Sequence, residues 1–245
     1  MTVRTTLTTS LFATGFFVPM LAADVSAVEL TSTFSAQVEE DEIDAFSGAV
    51  DQAFFNVQGD DDEFTVYSLV DFDTSPIIGP ATSVTALSLD IAQSNIFFTA
   101  NGGLEFFLAT DTRAIDLNDS ARYISDGDNT GSEVVGSAFG TLYSIGTGTF
   151  TETATGDIDT YTFSLDPTAE AFALSQINSG GLLRIIATPS DLAVQATYAG
   201  ASALGGISSP VLTIEGEGIA IPEPTSLLVF GAGAGVLALR RRRTA

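Results

Sequence analysis

The sequence predicts an all-β protein, an antiparallel β-sandwich or jelly roll with one short helix. Short runs rich in β-branched and aromatic residues alternate with turn residues, at the spacing of about 8 to 12 residues that is typical of such folds. Only one segment has helix-start and helix-stop residues at its two ends. Cysteine is absent from the 245 residues, so the apolar core must stabilise the fold without disulfides.

The N-terminal stretch, residues 1–27, is typical of a secretory signal peptide. Arg4 precedes an apolar run over 7–21, and small residues follow up to Ala27. Because a small residue stands at Ala27 and Val25 lies two positions before it, we expect cleavage after Ala27. Cleavage after Ala22 or Ala23 is the alternative.

The body that follows is predicted to be one acidic β-sandwich domain over residues 28–215. Between residues 28 and 221 the chain holds 29 of its 31 acidic residues but only three of its eight basic ones, a formal charge of −26. Those three are Arg113, Arg122 and Arg184. Such a surface repels nucleic acid and anionic membranes, so we expect no nucleic-acid partner; solubility is the simplest role of the charge.

Several classes of catalytic site are excluded by composition. The chain has no histidine, cysteine or lysine, which removes the Ser-His-Asp, Cys-His, zinc-histidine and Schiff-base mechanisms. A hydrolase with two carboxylates about 5 to 9.5 Å apart remains as an alternative, but spacing along the chain selects no pair. We therefore expect no enzymatic activity.

The first half of the body reads as strands and turns. Residues 29–36 predict one strand, and 64–73 predict another whose even positions pack against the core. The Asn101-Gly102 step between two apolar runs predicts a tight hairpin. Further strands are predicted over 53–57 and 83–91.

The second half contains two strands over 137–145 and 147–154, which Gly146 is expected to join. Asp166 is a good N-cap for the helix, with Pro167 in the first helical position and Gly180 at its end. The predicted apolar face of this helix consists of Ala171, Phe172, Leu174 and Ile177. Later strands are predicted over 159–165, 182–187, 192–198 and 210–214.

One acidic, glycine-containing loop is a candidate calcium site. Asp126, Asp128 and Glu133 supply carboxylates at short spacing, and oxygen ligands of this kind suit calcium. The loop is not an EF-hand, because Thr130 and Ser137 stand at its fifth and twelfth positions. A solvated acidic turn is the simpler interpretation, so we expect no cofactor, with calcium as the alternative.

The C-terminal end has three successive parts. A linker over 216–224 contains Pro222-Glu223-Pro224, where proline favours extended backbone. An uncharged run of 15 residues follows over 225–239, shorter than the roughly 20 residues of a comfortable membrane span. Four basic residues of the kind that hold a terminus in the cytoplasm come next: Arg240, Arg241, Arg242 and Arg243.

This tail resembles the PEP-CTERM sorting signal of exported bacterial proteins. The resemblance implies that an exosortase acts near Pro222-Glu223-Pro224, that residues 225–245 form a transient transmembrane helix with a cytoplasmic end, and that the arginines stop translocation. It also implies an exported protein that is briefly anchored in the inner membrane and then resides at the cell surface or outside the cell.

The body more weakly resembles the DNRLRE-type β-sandwich domains of bacterial surface proteins. The segments that carry this resemblance are 69–73, 79–89, 178–183 and 209–214. It implies a non-catalytic surface or matrix protein with extracellular polysaccharide as a partner. A carbohydrate-binding module, with or without calcium, is the alternative; Tyr123 is the aromatic residue to test in it, because sugar platforms use exposed rings.

Overall fold

The computed structural model describes residues 25–39, 43–44, 54–59, 65–77, 79–94, 99–116, 119–125, 130–202 and 206–220. Within these ranges lie twelve strands, one α-helix and three 3₁₀ turns. The strands are β1 (Val25–Thr31), β2 (Phe34–Val38), β3 (Ile43–Asp44), β4 (Phe54–Gln58), β5 (Tyr67–Asp73), β6 (Ala86–Ala92), β7 (Gly102–Ala109), β8 (Leu142–Phe150), β9 (Ile158–Phe163), β10 (Leu182–Pro189), β11 (Gln195–Ala199) and β12 (Val211–Glu217). The helix is α1 (Pro167–Ser179), and the 3₁₀ turns are Ser120–Arg122, Gly131–Glu133 and Ser137–Phe139.

The strands form antiparallel sheets. One sheet has the order β1-β12-β6-β9, a second has the order β3-β2-β5-β10-β7-β8, and β11 pairs with β4 in a two-stranded ribbon. The prediction of an antiparallel β-sandwich with one helix is therefore confirmed. The predicted signal peptide up to residue 24 and the tail from residue 221 lie outside the described residues.

The main core lies between the two larger sheets. Along β6 every second residue is buried, as expected for a strand with one face on the core. Inward-facing side chains from both sheets meet there, with the ribbon closing one side. The largest contributors include Phe55, Phe72, Phe106, Phe163, Leu87, Leu89, Ile185 and Ile214.

A second core covers the outer face of the six-stranded sheet. Tyr67 and Leu69 of β5 and Phe107 of β7 point outward there, and Val134 and Phe139 from the chain between β7 and β8 cover them. As a result β5 is buried on both faces. The prediction of a single packed face for residues 64–73 was incomplete because the sequence pattern did not reveal this covering layer.

Helix α1 begins and ends where the sequence predicted. The Asp166 carboxylate accepts hydrogen bonds from the backbone N–H groups of Thr168 and Ala169, both at 2.8 Å. Gly180 ends the helix with a φ of +64°. The predicted apolar face is right for Ile177, which is buried, and for Phe172 and Leu174, which pack partly buried against the core. It is wrong for Ala171, which is exposed, and it missed the buried Ala169 and Ala173. Ala169, Ala171 and Ala173 have the same side chain, so hydrophobicity alone could not show which of them face the core.

The predicted first strand is divided between two sheets. Ser32 donates its N–H to the Pro210 carbonyl beside β12, whereas the N–H of Thr33 goes to Asp71 of β5. The chain therefore crosses from one sheet to the other between Ser32 and Thr33. A single strand over 29–36 was wrong, because β-propensity does not show at which residue a chain changes sheets.

Glycine marks close packing where turns were predicted. Asn101-Gly102 does not form the predicted tight hairpin: Ala100 pairs with Gln195, and a Cβ at Gly102 would lie 2.5 Å from that of Val194. Gly146 lies inside one continuous strand, β8, where the pairing with β7 shifts register. It marks a β-bulge and does not join two strands.

Among the described residues, no helix has the length and apolar character needed to cross a membrane.

Candidate functional site

The two ends of the body lie side by side. β1 and β12 pair over their whole length, from Val25 opposite Glu217 to Thr31 opposite Val211. Beyond the strand, the Ser26 hydroxyl donates a 2.5 Å hydrogen bond to the carbonyl of Ile219, which is buried. The chain therefore enters and leaves the sandwich at one edge.

The predicted domain boundaries lie inside these two strands. β12 continues through Glu217, so Gly216 and Glu217 are strand residues and do not belong to a linker that begins at 216. The carbonyl of Glu217 accepts the N–H of Thr82 at 2.9 Å, which holds the strand beyond the predicted end. The predicted cleavage position after Ala27 likewise lies within β1; cleavage there stays a prediction.

A buried ion pair supports the outer face of the larger sheet. The Arg184 guanidinium donates two hydrogen bonds of 2.7 Å to the two carboxylate oxygens of Asp71. Its Nη1 donates to the backbone carbonyls of Asp111 at 3.2 Å and Arg113 at 3.1 Å. The same guanidinium lies 5.7 Å from the centre of the Phe139 ring. Arg184 therefore fixes the loop after β7 to the sheet.

No role for this pair was predicted from the sequence. A signal was present, because Arg184 is the one charged residue in the run 182–189 and Asp71 stands between Val70 and Phe72. A charge inside an apolar strand needs a partner when it is buried. The pattern did not show that the two strands are neighbours in register.

All three arginines of the body line one small cleft, which we call the arginine cleft. It has a volume of about 110 Å³. Its charged and aromatic walls are Asp111, Arg113, Asp116, Arg122, Tyr123 and Arg184. Arg113 and Arg122 are close in the sequence, but nothing in the sequence predicts that Arg184 joins them.

The two outer arginines of the cleft have aspartate partners of their own. The Nε of Arg113 donates to both carboxylate oxygens of Asp111 at 2.9 Å. Arg122 lies 3.7 Å from Asp119. Hydrogen bonding from Arg113 lowers the pKa of the Asp111 carboxyl. The side chains of Arg113 and Arg122 are 76% and 50% exposed, so both reach solvent at the mouth of the cleft.

A larger, mostly apolar cavity adjoins the arginine cleft. Its volume is about 320 Å³, and Phe34, Ile115 and Leu182 supply its apolar wall. Ala114 and Arg184 line both spaces. A polar cleft and an apolar cavity thus share one wall on the outer face of the six-stranded sheet.

The candidate calcium loop begins beside this cleft. Ile124 and Val135 form an isolated antiparallel bridge at the base of the loop. Glu133 is exposed in a 3₁₀ turn, while Asp126 and Asp128 lie outside the described residues. Within the parts of the chain that are described, no three acidic side chains come together as metal ligands. Calcium binding stays a prediction.

Tyr123 is not the exposed ring that the sequence suggested. It is 5% exposed, and its ring lies 5.3 Å from that of Phe139. Its hydroxyl accepts the N–H of Asp116 at 2.7 Å, and its carbonyl accepts the hydroxyl of Tyr67. Tyr123 therefore stabilises the second core, and a polar sequence context misled the prediction.

A tyrosine network lies deeper, in the main core. The hydroxyls of Tyr161 and Tyr198 are 2.6 Å apart, and that of Tyr198 donates to Asp159 at 2.9 Å. The Gln93 side chain donates to the same Asp159 oxygen at 3.0 Å. Burial raises the pKa of both tyrosines, so neither hydroxyl ionises near neutral pH. This network is a structural element of the core.

Comparison with known protein families identifies the segment that follows the body. Residues 220–243 match the family model of the PEP-CTERM protein-sorting motif. The tail is a PEP-CTERM sorting signal. This motif marks an exported protein that an exosortase processes and that is held transiently in the membrane. None of the curated proteins compared with the chain matches it.

The PEP-CTERM match confirms the identification of the tail made from its sequence. The matched range includes Pro222-Glu223-Pro224 and the terminal arginines, and it begins one residue after the buried Ile219. The individual roles of Pro222, Glu223, Pro224 and Arg240 to Arg243 stay predictions, because these residues lie outside the described ranges. The resemblance of the body to DNRLRE-type domains also stays a hypothesis.

Proposed function

We propose that the body is a non-catalytic β-sandwich that its PEP-CTERM tail delivers to the cell surface or the extracellular polymer, where it serves as a structural component. The observation that carries this proposal is the pairing of β1 with β12. Because the chain enters and leaves at one edge, the predicted signal peptide and the PEP-CTERM tail are both attached at that edge of the sandwich. The rest of the sandwich is then free to face outward while the protein is tethered.

The proposed order of events follows from the chemistry of the tail. The signal peptide directs export, and the apolar run 225–239 then holds the C-terminal end in the membrane. Arg240 to Arg243 remain on the cytoplasmic side because translocating four cations is unfavourable. Exosortase processing near Pro222-Glu223-Pro224 then separates the body from its anchor.

The absence of catalysis is part of the same proposal. A carboxylate-pair hydrolase needs one carboxyl that keeps its proton near neutral pH. At the arginine cleft, Asp111 is held ionised by Arg113, and Asp71 is already bound by the buried Arg184. For these two carboxylates, this chemistry favours a binding or structural role over hydrolysis.

Mass spectrometry of protein from culture supernatant and from membranes tests delivery. We expect the secreted form to end before Arg240, and the double variant Pro222→Ala/Pro224→Ala to remain at full length in the membrane. Pro167→Ala, which changes an exposed proline at the start of α1, is the matched control and should be processed normally. Secreted protein that still ends at Ala245 would refute the proposal.

Carbohydrate binding is a second candidate function. The adjacency of a polar cleft and an apolar cavity favours it, because saccharides present hydroxyl groups and apolar ring faces together. A glycan array probed with and without a chelator tests this function and any contribution of calcium. Absence of binding in both conditions would remove it.

A further inference from the structure

The charges around the arginine cleft nearly cancel, with three arginines against the four aspartates Asp71, Asp111, Asp116 and Asp119, in contrast to the rest of the body. Each of its arginines has an aspartate partner: Arg184 has Asp71, Arg113 has Asp111 and Arg122 has Asp119. The body as a whole carries a formal charge of −26 and therefore repels polyanions at long range. A ligand without charge meets no such repulsion, and the cleft has no surplus cation to attract an anion.

The cleft places hydrogen-bond donors beside acceptors. The described contacts of Arg113 use its Nε and Nη2, and the ion pair of Arg122 uses its Nε. Among the described residues, both arginines thus keep Nη1 donors without a partner. The carboxylate of Asp111 already accepts three donors of Arg113, namely its backbone N–H, Nε and Nη2. A carboxylate has about four lone-pair sites, so it can accept one further hydroxyl. Of two hydroxyls on neighbouring carbons of a ligand, one could donate to the Asp111 carboxylate and the other could accept from the Arg113 guanidinium.

The adjoining cavity supplies the surface that such a ligand also needs. Phe34, Ile115 and Leu182 are half-buried and form its apolar wall. At about 320 Å³ it lies at the lower end of small-ligand pockets, whereas the arginine cleft alone, at about 110 Å³, is too small. A pyranose ring has an apolar C–H face and polar edges, which match the cavity and the cleft respectively.

The loop that carries Asp111 and Arg113 is fixed before any ligand arrives. Arg184 holds the carbonyls of both residues, at 3.2 and 3.1 Å, and is itself anchored by Asp71. A prearranged set of donors and acceptors reduces the ordering cost of binding. Rigidity at this point distinguishes the cleft from an ordinary exposed turn.

We propose that the arginine cleft and its adjoining cavity bind one residue of a neutral polysaccharide, through a hydroxyl pair at Arg113 and Asp111 and a ring face in the apolar cavity. This inference rests on the proposed delivery of the body to the extracellular polymer. It names the chemistry of the partner, uncharged sugar, and excludes an acidic one.

The test uses the mature protein recovered from culture supernatant. Hexasaccharides of glucose, mannose and galactose serve as neutral probes, and hexagalacturonate serves as the anionic probe, each in a calorimetric titration. Arg113→Gln and Arg122→Gln remove the exposed guanidinium groups one at a time. Thr155→Asp, in an exposed turn, adds one negative charge elsewhere and controls for the altered net charge.

We expect at least one neutral hexasaccharide to bind, with affinity unchanged between 50 and 500 mM salt. Arg113→Gln should weaken binding about tenfold, the factor that corresponds to one charge-assisted hydrogen bond, while Thr155→Asp leaves it unchanged. Binding of hexagalacturonate alone, equal binding by both arginine variants and the native protein, or no binding by any probe would overturn the proposal.

Failure of this proposal is distinguishable from failure of delivery. Secreted, processed protein that binds no neutral probe contradicts the saccharide site and leaves delivery intact. If export itself fails, the full-length chain purified from membranes in detergent is titrated with the same probes. Binding by that chain supports the site although delivery has failed.

Discussion

Arg184 on β10 lies directly opposite Asp71 on β5, and their side chains share two parallel hydrogen bonds of 2.7 Å. Both are nearly inaccessible to solvent, at 3% and 5% side-chain exposure. The pair joins two neighbouring strands and, through the Asp111 and Arg113 carbonyls, the loop that forms the arginine cleft. One buried interaction therefore supports both the sheet and the candidate binding site.

Removing one partner of this pair should destabilise the protein strongly. We expect Asp71→Asn or Arg184→Met to lower the free energy of unfolding by about 3 to 5 kcal/mol, because the remaining group is left buried without its partner. Urea unfolding of the mature protein measures the change. The double variant Asp71→Leu/Arg184→Met should recover much of the loss, since no uncompensated charge remains. A single variant as stable as the native protein would contradict the assigned role.

Gly148 is expected to tolerate no side chain. A Cβ at this position would lie 2.4 Å from the ring of Tyr161 and 3.3 Å from that of Phe106, both of which belong to the main core. Gly148→Ala should therefore lower the free energy of unfolding by about 1 to 3 kcal/mol through overpacking. Ser144→Ala, at an exposed position of the same strand, is the control and should change stability by less than about 0.5 kcal/mol. Equal midpoints in thermal unfolding would show that the core accommodates the methyl group.

The sequence predicted well those features that depend on a few neighbouring residues. The ends of α1 follow from Asp166, Pro167 and Gly180, and the structure places the cap contacts there. The PEP-CTERM tail was also identified correctly, because its motif, apolar run and arginines are contiguous. In both segments the residues on which the prediction depends are close neighbours in the sequence.

Features that depend on contacts between distant segments were missed. Gly102 and Gly103 were predicted to be turn residues. In the structure Val194 and Ser190 pack against them and leave no room for a side chain. Asp71 and Arg184 are 113 residues apart, and the sequence does not show that their strands are paired. The arginine cleft was unpredictable for the same reason.

The buried tyrosines should resist ionisation until the protein unfolds. Burial raises the pKa of Tyr67, Tyr161 and Tyr198 above the ordinary value of about 10. Their contribution to stability is thus complete below pH 10 and is lost as the pH rises beyond it toward the folded-state values. Tyrosinate absorbance at 295 nm should show at most two of the five tyrosines ionised in the folded protein at pH 11, and all five in urea. Full ionisation in the folded state would contradict burial of the three hydroxyls.

Removal of the signal peptide should loosen the strand that leads into the PEP-CTERM tail. The backbone carbonyls of Glu215 and Glu217 accept the N–H groups of Thr85 and Thr82 on one side of β12. Because successive residues of a strand direct their backbone groups to opposite sides, those of Gly216 face β1, where its register partner is Ser26. Cleavage after Ala27 removes Ser26, together with its hydroxyl bond to the Ile219 carbonyl. The end of β12 around Gly216 would then be hydrogen-bonded on one side only.

Hydrogen exchange on the precursor and the mature protein tests this coupling. We expect a mature N-terminus at Val28 and exchange of the Gly216 amide at least about tenfold faster in the mature chain, because backbone amides that lose a strand partner open locally. The Leu212 amide, whose register partner Leu30 is retained, is the internal control and should not change. A mature chain that begins before Ser26 would place the cut at Ala22 or Ala23 and keep Gly216 protected. Protection of Gly216 in a chain that starts at Val28 would instead show that pairing with Ser26 does not protect this end of β12.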